Sequence, residues 1–151
     1  MEYVVVDWDD DISGFYCDPT RYLEALPELR SELPEGAFAF ASDPAHYAIS
    51  GTRCVKNLEI GSLAFSGSGR TDLEIRFAPN EWTHDAGLEI RYDDVESVEM
   101  RSSWITTASP PGLGGVLLDE VRPHAHGCVH DIALTNGSIT VVCADLKARW
   151  E

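Results

Sequence analysis

Residues 122–131 read RPHAHGCVHD and set three histidines and a cysteine at alternate positions: His124, His126, Cys128 and His130. Imidazole nitrogens and thiolates are the ligands that zinc and other transition metals take. A thiol beside an imidazole is also the pairing that activates a cysteine nucleophile. A straight strand would spread these four residues over roughly 20 Å, too far for one ion. What they can do together therefore depends on where the chain turns.

Two local signals bear on that. Pro123 and Gly127 bracket PHAHG, which reads as a turn carrying His124 and His126. Downstream, Asn136-Gly137 is the preferred pair for a type I′ hairpin turn. A two-residue loop centred there opposes Leu134 to Ile139, Ile132 to Val141 and His130 to Cys143, with Cys128 reaching Asp145 at the end. That face is the more apolar, so Cys128, His130 and Cys143 are expected to point inward. Beyond Cys143 the apolar positions switch parity to Leu146, Ala148 and Trp150, which suggests a β-bulge near Ala144-Asp145.

The inward cluster has two chemical readings: a transition-metal site built from Cys128, His130 and Cys143, or a Cys143–His130 nucleophilic dyad. The plainer reading is a buried neutral histidine among packed thiols, with exposed histidines in the turn. No known ligand spacing is matched, and neither an oxyanion loop nor a third orienting group is evident. No cofactor is expected.

Other candidates are weaker. Asp7, Asp9, Asp11 and Asp18 fall at positions one, three, five and twelve of a calcium loop, but Ile12 stands where that loop needs glycine. PNEWTHDAG (79–87) holds Glu81, Trp82, His84 and Asp85, and its tryptophan either caps the core, the commoner outcome, or forms a binding anchor. SGSGR (66–70) is glycine-rich without the Gly-Lys-Ser/Thr of a phosphate loop. Trp104, near SPPGLGG (109–115), is a candidate exposed aromatic.

These residues must be positioned by a β-rich chain. YVVVDW (3–8) reads as a strand, and Asp18-Pro19 as a helix start. Tyr22, Leu26, Leu29 and Leu33 follow at helical spacing, with a kink or a second helix expected at Pro27 and an end at Pro34 and Gly36. AFAFA (37–41) reads as a strand, and Asp43-Pro44 opens at most one helical turn. RCVKNLEI with SLAFS, TDLEIRFA, LEIRYDDVESVEM, VLLDEV, CVHDIALT and SITVVCADLKARW are all strand candidates. LEIRF (73–77) and LEIRY (88–92) share a pattern that sends Leu, Ile and the aromatic inward and leaves Glu and Arg to pair outside. The expectation is one α+β domain over residues 1–151: a curved, mostly antiparallel sheet with an N-terminal helical segment, about residues 19–33, packed on it.

Charge bounds the partners. Of 151 residues, 26 are acidic and 11 basic, for a net charge of −15. That field repels nucleic acid and anionic membrane and accelerates association with a basic protein. It also keeps a protein soluble, which needs no partner at all. Residues 1–43 hold eleven acids and two bases, Arg21 and Arg30. Four widely spaced cysteines without a C-x-x-C pair, and no basic, apolar leader at the start, fit a reduced, cytoplasmic setting. In size, acidity and absence of a catalytic motif the chain resembles the immunity proteins that neutralise bacterial toxins. The resemblance implies a non-catalytic binder of a basic partner such as a toxin nuclease. It would use acids near Asp9, Asp10 and Asp11, along Glu24, Glu28 and Glu32, and around Asp93, Asp94 and Glu96. Oligomeric state stays open.

Overall fold

The computed structural model describes residues 1–102 and 112–151; Trp104 and residues 109–111 of the proline-glycine loop lie outside them. The elements run β1 (Val5–Asp9), β2 (Gly14–Asp18), α1 (Thr20–Leu29), α2 (Glu35–Ala41), β3 (Glu59–Ser66), β4 (Asp72–Ala78), β5 (Leu88–Ser102), β6 (Val116–His124), β7 (Gly127–Leu134) and β8 (Gly137–Trp150). The main sheet is antiparallel in the order β3-β4-β5-β8-β7-β6, and β1-β2 form a separate hairpin. It is not a closed barrel. Its edges nevertheless touch at one end, where Glu59 bridges Gly115 and Asn57 and Leu58 exchange backbone hydrogen bonds with Val116. Such contact requires the sheet to curl.

The two LEIR segments pair with each other. Leu73 opposes Tyr92, Ile75 opposes Ile90 and Phe77 opposes Leu88, all buried, while Glu74 opposes Arg91 and Arg76 opposes Glu89 on the outer face. The outer pairs meet as expected, with Arg76–Glu89 at 2.7 Å and Arg91–Glu74 at 3.1 Å. One antiparallel pairing thus satisfies both faces of the repeated pattern.

The helical layer differs from expectation in one respect. α1 runs through Pro27 and ends two residues later, and the AFAFA segment read as a strand is instead helix α2. Alternating Ala and Phe suits a strand, but the buried positions are Ala37, Phe40 and Ala41, which is helical spacing. Two tertiary contacts decide it. The Asp145 carboxylate on β8 accepts the Gly36 and Ala37 amides at 3.1 and 2.8 Å, supplying the cap that the sequence lacks locally. Gly36 also lies so close to β8 that a Cβ there would run into the Leu146 carbonyl oxygen. Residues 52–58, read as part of a strand, stay irregular although Cys54, Val55 and Leu58 are buried; Asn57 sits at φ +70°.

The parity change in β8 is present: Cys143 and Leu146 are both fully buried. β5 changes phase with it between Tyr92 and Val95, around Asp94 at φ +50°, so the pairing of the two strands continues through. The bulge falls on β5 instead, between Val95 and Ser97.

Gly36→Ala should overpack the α2–β8 contact against backbone that cannot yield, costing about 3 kcal/mol. Urea unfolding of the two proteins measures this directly; a loss under about 0.5 kcal/mol would mean the helix is not held by that contact.

Candidate functional site

The Asn-Gly register needs correction. Thr135 and Asn136 form the two-residue turn and Leu134 pairs with Gly137, so every pair is displaced by two residues from the type I′ alignment. Cys128 opposes Cys143, and His130 opposes Val141. The cause is tertiary. The Thr135 and Asn136 amides bond to the Gly115 and Leu113 carbonyls at 2.9 Å each, which pins the turn. Gly137 is needed as a strand residue, because a Cβ there would meet the Arg101 carbonyl of β5. A slip of two keeps parity. The expected inner face is therefore still the buried one: Cys128, His130, Ile132, Leu134, Ile139, Val141 and Cys143.

The slip separates His130 from the thiols. The two sulfurs face each other at 3.6 Å as free, buried cysteines. Cys143 is pushed well above the usual thiol range, first by its hydrogen bond with Cys128 and then by burial, so it stays a thiol. His130 turns elsewhere. Its Nε2 lies 2.8 Å from Asp119 Oδ2 and its Nδ1 lies 2.8 Å from the Tyr92 hydroxyl. Among the described residues, no three His, Cys, Asp or Glu side chains are placed to hold a metal ion.

Asp119, in the middle of β6, is the centre of this cluster. His46, from the turn after α2, places Nε2 2.6 Å from Asp119 Oδ1 and Nδ1 3.0 Å from the Phe40 carbonyl. Both His46 nitrogens face acceptors, so both must donate, which makes His46 and Asp119 an ion pair. His130 donates to the other carboxylate oxygen and accepts from Tyr92. All of these side chains are buried. Burial alone would raise Asp119; the His46 charge and the hydrogen bonds from both histidines overcome it and hold the carboxyl well below its usual range. The void beside it is about 10 Å³ and lined by Val55, Leu58, Phe77 and Ile132, room for one water at most. A carboxylate–imidazole pair can move protons, and this void leaves room for one water beside it.

Its neighbour Glu120 is buried on the opposite side. It accepts the Glu2, Tyr3 and Val4 amides at 2.7, 2.7 and 2.6 Å and meets Arg122 at 2.8 Å. The sequence reads VLLDEV as a strand and sends Tyr92 inward, but it singles out neither acid, nor His46 or Tyr92, as a site residue. The only local signal was an Asp-Glu pair inside an apolar run.

The remaining candidates are at the surface. The two-residue turn is Ala125-His126, and His126 reaches back to β5, where its ring nitrogens lie 3.5 Å from Asp94 and Glu96. Asp93 pairs with Lys147 at 3.8 Å. Asp9, Asp10 and Asp11 lie at the tip of the β1–β2 hairpin. Glu24 and Glu28 are exposed on α1, and Glu32 is exposed just beyond it. The calcium-loop acids do not converge: Asp9 accepts the Asp11 amide at 2.9 Å, while Asp18 accepts the Thr20 amide at 2.9 Å. Trp82 does not cap the core but is 94% exposed. A groove of about 580 Å³ opens between α1 and α2 along Leu23, Leu26, Pro27, Phe38 and Tyr47. Comparison with protein-family models, curated proteins and solved structures found no match.

Asp119→Asn removes the charge to which both histidines donate and should cost about 3–5 kcal/mol at neutral pH. Because Asp119 titrates below its unfolded value, its contribution is complete above the ordinary carboxylate range and is lost as pH falls through it. The stability gap between parent and variant should therefore be widest near neutrality and shrink below about pH 4. Urea titrations at several pH values test this, and a gap that stayed constant would remove the ion pair from the account.

Proposed function

We propose that this chain is a non-catalytic acidic protein that binds a basic protein partner in the cytoplasm. The observation that carries the reading is how its charges are spent. Eight of the eleven lysines and arginines sit in ion pairs with acids: Arg53, Arg70, Arg76, Arg91, Arg101, Arg122, Lys147 and Arg149. Most of them neutralise acids on or beside the main sheet. Among the described residues, none pairs with the acids of the hairpin or with Glu24, Glu28 or Glu32. The uncompensated acids are thus densest on the N-terminal hairpin, which carries five acids and no base, whereas Glu24, Glu28 and Glu32 share their stretch with Arg21 and Arg30. A local excess of acid is the pattern that steers a positively charged surface. The immunity-type reading, with a toxin domain as partner, follows from the same polarity. Of the described residues, no helix is long and apolar enough to cross a membrane.

A partner recovered from the protein's own cells at low salt should be basic, and its association rate should fall about tenfold or more between ~50 mM and ~500 mM salt. Recovery of no partner, or an association rate indifferent to salt, would end this reading. The competing class, a metal- or small-ligand-binding domain centred on Cys128, His130 and Cys143, makes the opposite forecast. Protein purified without a histidine tag is expected to contain no stoichiometric zinc, since both His130 nitrogens are already engaged. Zinc present at one equivalent and lost in Cys143→Ala would favour that class instead.

A further inference from the structure

The hairpin carries more than charge. Val5–Asp18 contains five acids and no base, yet three of its large apolar side chains are exposed: Trp8 at 56%, Ile12 at 63% and Tyr16 at 50%. Single exposed apolar residues are ordinary on soluble surfaces, but three within one short hairpin mark a candidate contact for a partner. The ribbon is firmly rooted. Glu120 holds the three residues before it by their amides, and Val6 and Cys17 pack against the core, so only the outer part of the ribbon is free.

Both exposed rings are held in place by a carboxylate. The Trp8 indole N–H donates to Asp10 Oδ1 at 2.7 Å, and Phe15, directly across the hairpin, meets the Trp8 ring edge-on at 5.2 Å. The Tyr16 hydroxyl donates to Asp18 Oδ2 at 3.3 Å, and Asp7 is its cross-strand partner. Register puts Trp8 and Tyr16 on opposite faces, so each face offers an aromatic ring with a carboxylate beside it. A guanidinium group uses that combination: it stacks on the ring while its N–H groups reach the carboxylate. An ammonium group has no planar face to stack and no fork to match.

We propose that the Val5–Asp18 hairpin is the arm that engages the partner, receiving arginine side chains of a basic protein surface on Trp8 and Tyr16, with Asp7, Asp10 and Asp18 as acceptors. This rests on the reading of the chain as an acidic binder, and adds that recognition is arginine-selective and local to the hairpin.

The test uses the full chain with two fluorescent probes of equal charge and length, an oligo-arginine and an oligo-lysine peptide, titrated at low salt. Oligo-arginine is expected to bind about fivefold tighter, with NMR shift changes concentrated on residues 5–18. Trp8→Ala with Tyr16→Ala keeps the charge and should abolish that preference, weakening oligo-arginine about tenfold and leaving oligo-lysine nearly unchanged. Trp8→Phe with Tyr16→Phe should retain most of it, which separates loss of the rings from damage to the fold. Equal affinity for the two peptides, or a preference that survives the alanine variants, overturns the hairpin assignment while leaving an acidic binder in place. Failure of both peptides to bind overturns the hairpin assignment and the acidic-binder reading together.

Discussion

Three successive residues of an edge strand impose the constraint that the rest of the molecule is built to meet. Asp119, Glu120 and Val121 lie in β6, at one end of the six-stranded order. Alternation sends the two carboxylates to opposite faces, and the edge leaves backbone groups without a strand partner. Each buried group must find a partner or cost several kcal/mol. Three segments outside the main sheet supply these partners. The turn after α2 brings His46 to Asp119 and the Tyr47 hydroxyl to the Asp119 carbonyl. α1 brings Tyr22, whose hydroxyl donates to the Val121 carbonyl and accepts the Val121 amide. The segment leading to β1 closes over Glu120 with three amides.

This arrangement gives an interior rich in ionisable groups a structural role. Burial pushes the Tyr22, Tyr47 and Tyr92 hydroxyls well above their usual range, and Cys143 is held as a thiol by its hydrogen bond with Cys128 and by burial. Asp119 moves the other way, because two imidazoles face it. The histidines serve a carboxylate, and the carboxylate ties β6 and β7 to the turn that follows α2. Buried ionic groups contribute less net stability than an apolar core of equal volume, but they tolerate only one arrangement of neighbours. In this chain that selectivity settles where the helices dock on the sheet.

The exterior divides along the same line. Where strands are paired on both sides, acids and arginines alternate and cancel, as around Glu89, which Arg76, Arg91 and Arg149 all approach. Where the chain leaves the sheet in the β1–β2 hairpin, five acids stand without a base among them. The polarity that would steer a partner therefore comes from topology as much as from composition.

Much of the architecture was legible in the residues. Period-two patterns located the strands, the LEIR segments announced their own pairing, and the parity of CVHDIALT and SITVVCADLKARW identified the inner face. Those features depend on alternation within a strand, which is local. What sequence could not decide was register and secondary structure wherever a distant backbone intervenes. Asn136-Gly137 favours its own turn, but carbonyls at residues 113–115 and the close approach of β5 at Gly137 shift the hairpin by two residues. AFAFA has no local cap, and Asp145, more than a hundred residues away, provides one. The polar centre was hidden for the same reason. His46, Tyr92, Asp119 and His130 come from four separated segments with no common spacing, and only the packed sheet brings them within hydrogen-bond distance. RPHAHGCVHD thus resolves into a surface histidine held by β5, a cysteine facing its cross-strand twin, and a histidine bound to a carboxylate that its own sequence neighbourhood does not contain.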